Sequence, residues 1–264
     1  MSLRSKRAIP SESSESPRLA RDYDYLVRRW KSLARARRFE FELLAEDGGH
    51  PVFFALIPSP RPNALRVYLS AGVHGDEPAG PTALLRWLEQ TPDPDLEVWI
   101  FPCLNPAGLV ANQRLTPDGV DLNRCYRDFS HSTVRAQQRR IGETRFDLAL
   151  LLHEDYDACG TYLYETSQRK PFWGDSLIQS MGAHLPADPR RTIDGSRAKN
   201  AVIRRRIHPD LLPGWPEAFW LHYQHANRVF TIETPSEFHL SHRISAHVAV
   251  IQAATSRLCA TNLP

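Results

Sequence analysis

The 264-residue sequence predicts an α/β fold with a largely parallel central sheet, and three observations carry that expectation. Short apolar runs alternate with segments of helical periodicity. The middle runs, Leu65–Ala71, Leu96–Phe101 and Phe146–Leu152, are almost continuously apolar, as strands buried on both faces are. The residues richest in chemistry follow those runs directly, where ligands bind in open α/β sheets.

In chain order, residues 22–38 place Tyr25, Leu26, Trp30, Leu33 and Ala34 at helical spacing against an Arg/Lys face. Two strand candidates follow, Phe39–Leu44 and Val52–Ile57. Asp47-Gly48-Gly49 separates them and signals a hairpin. Leu65–Ala71 ends in Gly72-Val73-His74-Gly75-Asp76-Glu77-Pro78, and a helix is expected over Ala79–Glu89. Beyond Leu96–Phe101, a long loop rich in Asn, Pro, Gly and Asp runs to Arg124. A helix is expected over Ser132–Gly142, then the strand Phe146–Leu152 and a short one at Tyr162–Tyr164. Residues 184–216 are polar, proline-rich and without periodicity. Arg228–Ile232 reads as a late strand running into Glu233, and Ser241–Leu258 as a helix.

Composition narrows the function classes. Hydrophobic residues make up 42% and charged residues 24%, ordinary for a globular chain long enough for one well-buried domain. Residues 1–20, rich in Ser, Glu, Arg and Pro, read as a flexible tail, and 21–264 as a single domain. Thirty-three basic and 30 acidic residues leave a net charge of +3, too even to argue for nucleic acid. Cys103, Cys125, Cys159 and Cys259 form no C-x-x-C pair and read as buried free thiols of a reducing compartment. The N-terminus has no apolar signal core, and no run approaches about 18 apolar residues. A cytoplasmic location without membrane association is therefore expected. Nothing in the sequence sets the oligomeric state.

Three segments bring complementary side chains to strand ends: His74 with Glu77, then His153, then Glu233. A catalytic zinc takes three protein ligands and keeps a fourth position for water. Two imidazoles and a carboxylate meet that demand, and H-x-x-E spacing lets one tight turn supply two of them. Gly72 and Gly75 permit the sharp backbone path such a turn needs. Glu233 is then the carboxylate available to take a proton from water acidified by the ion. Asp76 reads as a turn residue. Asp121 reads either as a partner to a ligand or as a local cap, and Glu154 and Asp155 either as partners to His153 or as solvated charges. The remaining histidines show no partner pattern. Phe172, Trp173, Trp215, Phe219 and Trp220 read as core.

Gly72–Gly80 (GVHGDEPAG) resembles the first metal motif of the M14 zinc carboxypeptidases, nearest the branch of succinylglutamate desuccinylase and aspartoacylase. Asn105-Pro106-Ala107-Gly108, Asp118–Arg124 (DGVDLNR), His153-Glu154-Asp155 and Thr231–Pro235 (TIETP) resemble the later motifs, in the family's order, over about residues 40–250. The resemblance implies a three-layer α/β/α sandwich with a mixed sheet of about eight strands. It implies one zinc per chain held by His74, Glu77 and His153, with Glu233 as general base and acid. It further implies Arg114 as the residue that stabilises the oxyanion, and Asn123 with Arg124 as the pair that binds a substrate carboxylate. Arginine's planar fork suits that last task. The family's mobile capping tyrosine has no counterpart in a matching motif, although Tyr156, Tyr162, Tyr164 and Tyr223 lie in the interval.

The expected activity is zinc-dependent hydrolysis of an amide bond next to a free carboxylate, by a metallocarboxypeptidase acting on peptides. The alternative substrate is an N-acyl amino acid, and a third reading is a catalytically silent binding module on the same fold. The room around Arg124 separates the first two: an open groove suits peptides, a narrow site the small acyl substrate.

Overall fold

Two helical segments come first in the computed structural model, which describes residues 16–91, 95–167, 169–204, 208–212 and 214–261. Most of the expected tail lies outside the described residues, and its last residues form α1 (Pro17–Ala20), with Ala20 buried. Asp22 then caps α2 (Tyr23–Arg37), its side chain accepting the Tyr25 N–H at 2.8 Å. The helix buries Tyr23, Leu26, Trp30 and Ala34, the stripe its spacing predicts. Strands β1 (Glu40–Asp47) and β2 (His50–Ile57) form the hairpin. Its two turn residues, Gly48 and Gly49, both have positive φ, which a two-residue turn between twisted strands requires.

The core of the sheet follows: β3 (Arg66–Ala71), α3 (Ala79–Gln90), β4 (Glu97–Phe101), α4 (Pro106–Ala111), α5 (Ser132–Ile141), β5 (Leu148–Asp155) and β6 (Tyr162–Glu165). The expected loop to Arg124 thus holds a short helix, and a 3₁₀ turn at Leu122–Arg124. Next come α6 (Gly174–Met181), β7 (Thr192–Ile193), β8 (Ser196–Lys199), β9 (Val202–Ile203), α7 (Glu217–Trp220), β10 (Val229–Pro235) and α8 (Leu240–Ala260).

The strand order is β1-β2-β4-β3-β5-β10-β6-β9-β8-β7. The sheet therefore has ten strands where about eight were expected. The surplus lies at the β7–β9 edge, in the region without periodicity, because strands of two to four residues are too short to print an alternating pattern. The four middle strands, β4, β3, β5 and β10, are parallel. Both of their faces are covered. Val67, Leu69, Val98, Ile100, Leu148, Leu150, Phe230 and Ile232 pack toward the layer of α2, α3, α6 and α8. Tyr68, Trp99, Phe101, Ala149, Leu151 and Val229 pack toward the layer of α5 and α7.

Chain order places the site. From β3 the chain crosses to β4 on one side, while β5 and β10 lie on the other, so β3 and β5 flank a topological switch point, where open sheets hold ligands. Strands β5 and β10 run further than their apolar patterns. His153 and Glu233 lie inside the strands as register partners, since the backbone ladder continues past the point where apolar side chains stop.

Of the four free cysteines, Cys103 and Cys125 are buried as expected, Cys259 is half-buried and Cys159 is exposed. No described helix is long and apolar enough to cross a membrane.

Leu150 is fully buried at the centre of β5. Its truncation to Ala is expected to cost about 2–5 kcal/mol, from lost apolar transfer and the cavity left behind. Urea unfolding of the variant beside the parent measures it, and a loss under 1 kcal/mol, roughly the range of an exposed site, would contradict this account of the core.

Candidate metal centre and its cavity

The turn between β3 and α3 is held by backbone contacts that leave no room for side chains. Gly72 has a φ of +62°. A Cβ on Gly75 would stand 2.1 Å from the carbonyl carbon of Gly108. That approach is what the Asn105-Pro106-Ala107-Gly108 segment provides. Asn105 N–H donates to Gly72 O at 2.7 Å, its Oδ1 accepts the Gly108 N–H, and its Nδ2 donates to Arg114 O at 3.1 Å. Gly75 N–H donates to the same Arg114 carbonyl at 3.3 Å. The arginine's backbone is thus tied to the turn that carries His74 and Glu77.

His74, Glu77 and His153 are 2%, 3% and 4% exposed, and their candidate donor atoms lie within 4.8 Å of one another. Glu77 sits between the imidazoles: Oε1 is 2.6 Å from His74 Nδ1, and Oε2 is 3.1 Å from His153 Nδ1. Oε2 lacks hydrogen-bond geometry there and is a buried acceptor without a partner. Two Nδ1 atoms and an orphaned carboxylate oxygen converging in a buried space are the donor set a divalent cation takes, so the residues fit a metal.

Asp121 does both things its position suggested. Its Oδ1 accepts the Asn123 N–H at 2.9 Å, capping the 3₁₀ turn, and lies 3.2 Å from His74 Nε2. A carboxylate behind the far ring nitrogen of a ligating histidine fixes its tautomer and strengthens it as a ligand. Asp121 Oδ2 accepts from Arg114 Nη2 at 3.3 Å, and Arg114 Nη1 is 3.9 Å from Glu77 Oε1. The Arg114 side chain is 44% exposed and faces the cavity.

The charges report a cation deficit. Burial pulls His74 down, but Glu77 and Asp121 outweigh it and lift the imidazole to about 9. Burial raises Glu77, yet His74 and His153 hold it at about 2. Glu233, half-buried on the cavity wall, is lifted by burial to about 8; Glu77 and Asp155 add to the rise, while His153 and Arg114 oppose it.

These groups open on a cavity of about 900 Å³. Asn123 and Arg124 line its α7 side: Asn123 Oδ1 accepts the Glu217 N–H at 2.9 Å, and Arg124 Nη1 donates to Asn123 O at 2.9 Å. All seven residues singled out from the sequence therefore border one space. Asp76 is exposed at its edge. Glu154 is neither a solvated charge nor a partner to His153. It is buried, accepts the Ala79 N–H at the start of α3 and pairs with Arg243. Asp155 accepts from Tyr162 Oη at 2.9 Å. Tyr156, Tyr162 and Tyr164 line the cavity, whereas Tyr223 does not and packs at a tilt against Trp215. Among the five aromatics read as core, only Trp173 and Trp220 are buried; Trp215 and Phe219 are half-buried, Phe219 on the cavity wall, and Phe172 is exposed against the Arg204 guanidinium rather than in the core. Sequence reasoning missed Arg21 and Arg243, which also line it, since no motif surrounds either.

Residues 63–184 match the succinylglutamate desuccinylase/aspartoacylase catalytic domain family. The matched stretch holds the His74/Glu77, Asn105–Gly108, Asp118–Arg124 and His153–Asp155 segments, and the resemblance read from these motifs holds. Among curated proteins there is no match. A candidate metallopeptidase from Shewanella amazonensis SB2B has a similar structure, with a TM-score of 0.80 at 21% identity over 90% of this chain and 94% of that one. A metallo-carboxypeptidase from Burkholderia cenocepacia aligns at 0.66 and 15% identity, over 89% and 69% of the two chains. A metallo-carboxypeptidase from Pseudomonas aeruginosa, in complex with (2-guanidinoethylmercapto)succinic acid, aligns at 0.61 and 17%, over 89% and 68%. At these identities the likeness is one of fold.

Two outcomes follow from the charges. Asp121→Asn should weaken zinc binding by about 10–100-fold, read by competition with a chelating dye; unchanged affinity would leave Asp121 a turn cap only. His74 and Glu233 both have folded pKa values raised above their ordinary 6.5 and 4.5, so their contributions are present below those values and lost as pH rises through about 9 and 8. The melting temperature of metal-free wild type relative to metal-free Glu233→Gln, which isolates the Glu233 contribution from histidines such as His247 whose lowered pKa acts in the opposite sense, should therefore fall as pH rises from 4.5 to 9. A flat or rising profile by calorimetry would contradict the arrangement of charges.

Proposed function

We propose, on the premise of a desuccinylase/aspartoacylase-type catalytic domain over residues 63–184, that the protein is a zinc-dependent carboxypeptidase that cleaves peptides at the amide bond next to their terminal carboxylate. The observation that carries this reading is the buried His74–Glu77–His153 donor set opening on a cavity of about 900 Å³. That volume is near the upper end for small-molecule sites and exceeds what an N-acyl amino acid fills, which favours peptides over that alternative.

Zinc, when bound by His74, Glu77 and His153, supplies a Lewis acid that polarises the scissile carbonyl and acidifies water. Glu233 takes the proton from the attacking water and returns it to the leaving nitrogen. A carboxyl lifted toward neutrality by burial suits that exchange, because one group must serve first as base and then as acid. Arg114 faces the developing oxyanion. Its backbone is anchored through Asn105 and Gly75, so little reorganisation is needed as charge builds. Asn123 and Arg124 hold the terminal carboxylate. Because Asn123 Oδ1 is occupied by the Glu217 N–H, its Nδ2 is the end left to donate to an anion. The succinic acid derivative bound by the Pseudomonas protein is an anion of the same kind.

The test combines elemental analysis with assays on C-terminal peptides, their amidated forms and N-acyl amino acids. About one zinc per chain is expected in the wild type and in Glu233→Gln, with activity lowered about 10²–10⁴-fold in the variant. Amidated peptides should be cleaved far more slowly than free acids. Equal rates on both forms would remove the terminal-carboxylate role of Arg124, and full activity in Glu233→Gln would remove the mechanism.

A further inference from the structure

The cavity wall on the side of α3 and α8 holds a charged feature that the proposed chemistry does not use. Arg21, which closes α1, and Arg243, in the first turn of α8, both face the cavity. Arg243 Nη1 pairs with Glu154 Oε2, and the other Glu154 oxygen accepts the Ala79 N–H at 2.6 Å, so both oxygens of that carboxylate are engaged. The Arg21 guanidinium forms no hydrogen bond or ion pair with a described residue. The Nε atoms of both arginines are buried and unpartnered. Arg243 is only 11% exposed along its side chain. The two cations are close enough to repel: burial first, then the Arg21 charge, pulls Arg243 down to about 10. Glu237 also lines the cavity but bonds neither arginine.

Two partly desolvated guanidinium groups, of which only Arg243 is paired with a carboxylate, leave an excess of positive charge and two unused donors. Buried donors of this kind are rare unless a ligand completes them. The complement is an oxyanion, which an arginine fork holds with directional, charge-assisted bonds. Position says which part of a substrate it would be. Arg124 belongs to the α5/α7 layer, with Gly214 packed on its carbonyl at 2.4 Å from where a Cβ would stand. Arg21 and Arg243 belong to the layer of α2, α3 and α8. The metal donors lie at the strand ends between these layers.

We infer that Arg21 and Arg243 form an anion subsite for a carboxylate side chain on the amino side of the scissile bond, so that the preferred substrates are acidic peptides. This rests on reading the cavity as a peptide-cleaving site. An acidic residue there would be held on the far side of the metal from the terminal carboxylate, and the pair would orient the peptide from both ends.

The test uses zinc-loaded full-length protein and peptides that differ only in carrying Glu or Gln at either of the two positions on the amino side of the scissile bond. At one of them the wild type should prefer Glu by about tenfold in kcat/KM, chiefly through KM. Arg21→Gln should erase that preference while melting like the parent, and Arg21→Lys should keep part of it. No preference at either position, or one that persists in Arg21→Gln, overturns the subsite. Calorimetric binding of the same peptides to Glu233→Gln, with and without Arg21→Gln, separates the two readings. A Glu-over-Gln contrast in binding that depends on Arg21, with no peptide cleaved by the wild type, would sink the hydrolase and keep the subsite. Cleavage without any contrast would keep the hydrolase and sink the subsite. Neither binding nor cleavage of any peptide would overturn the subsite as well.

Discussion

Glu77 carries the charge around which the other site residues arrange themselves. A carboxylate 3% exposed at a sheet edge is tolerable only with positive charge against it. The two imidazoles supply that charge, one to each oxygen. Their own burial has to be offset in turn, and Asp121 does this for His74. Asp121 then engages Arg114 and the Asn123 N–H. The residues proposed for metal, oxyanion and carboxylate binding are therefore one electrostatic chain, in which each group stands beside the counter-charge that makes its burial affordable. A divalent ion fits such a chain better than protons do, because it satisfies the orphaned Glu77 oxygen as well.

A second polar group lies beneath Asn123 and Arg124, the residues proposed to bind a carboxylate, and takes no part in the proposed chemistry. Glu217 is 1% exposed and accepts hydrogen bonds from Tyr68 Oη, Ser70 Oγ and Gln137 Nε2. Gln137 also accepts from Tyr126 Oη. Burial raises the Glu217 carboxyl while these bonds oppose the rise. The network ties β3, α5 and α7 together, and through the Glu217 N–H it reaches Asn123. A satisfied buried network of this kind is rigid, so the floor under Asn123 and Arg124 is a fixed surface rather than a loop.

The central architecture could be read in the sequence because it follows strong local rules. Largely apolar runs of six or seven residues set β3, β4 and β5, and the glycines around His74 announced a tight turn. The seven candidate site residues, which border one cavity, were singled out because motifs flank them, and part of those motifs is scaffolding: Asn105 and Gly108 shape the approach to Gly75 and anchor Arg114. What stayed hidden depends on contacts between distant segments. Glu154 read either as a partner to His153 or as a solvated charge, because nothing local reveals that Ala79 and Arg243 will enclose it. The members of the Glu217 network are scattered from Tyr68 to Glu217. Strands β7 to β9 owe their existence to an edge already formed by β6, not to any pattern of their own.

The pairing of β5 with β10 sets His153 and Glu233 on one rung of a parallel ladder, yet the chain reaches them far apart in time. His74, Glu77 and His153 have all left the ribosome well before β10 exists. A growing chain thus has every metal donor in hand while it still lacks the carboxylate proposed to activate water. Order of synthesis separates the two proposed competences: an ion could be captured early and help to fasten β3 to β5, whereas the proposed hydrolysis would wait for the last strand to close against the sheet.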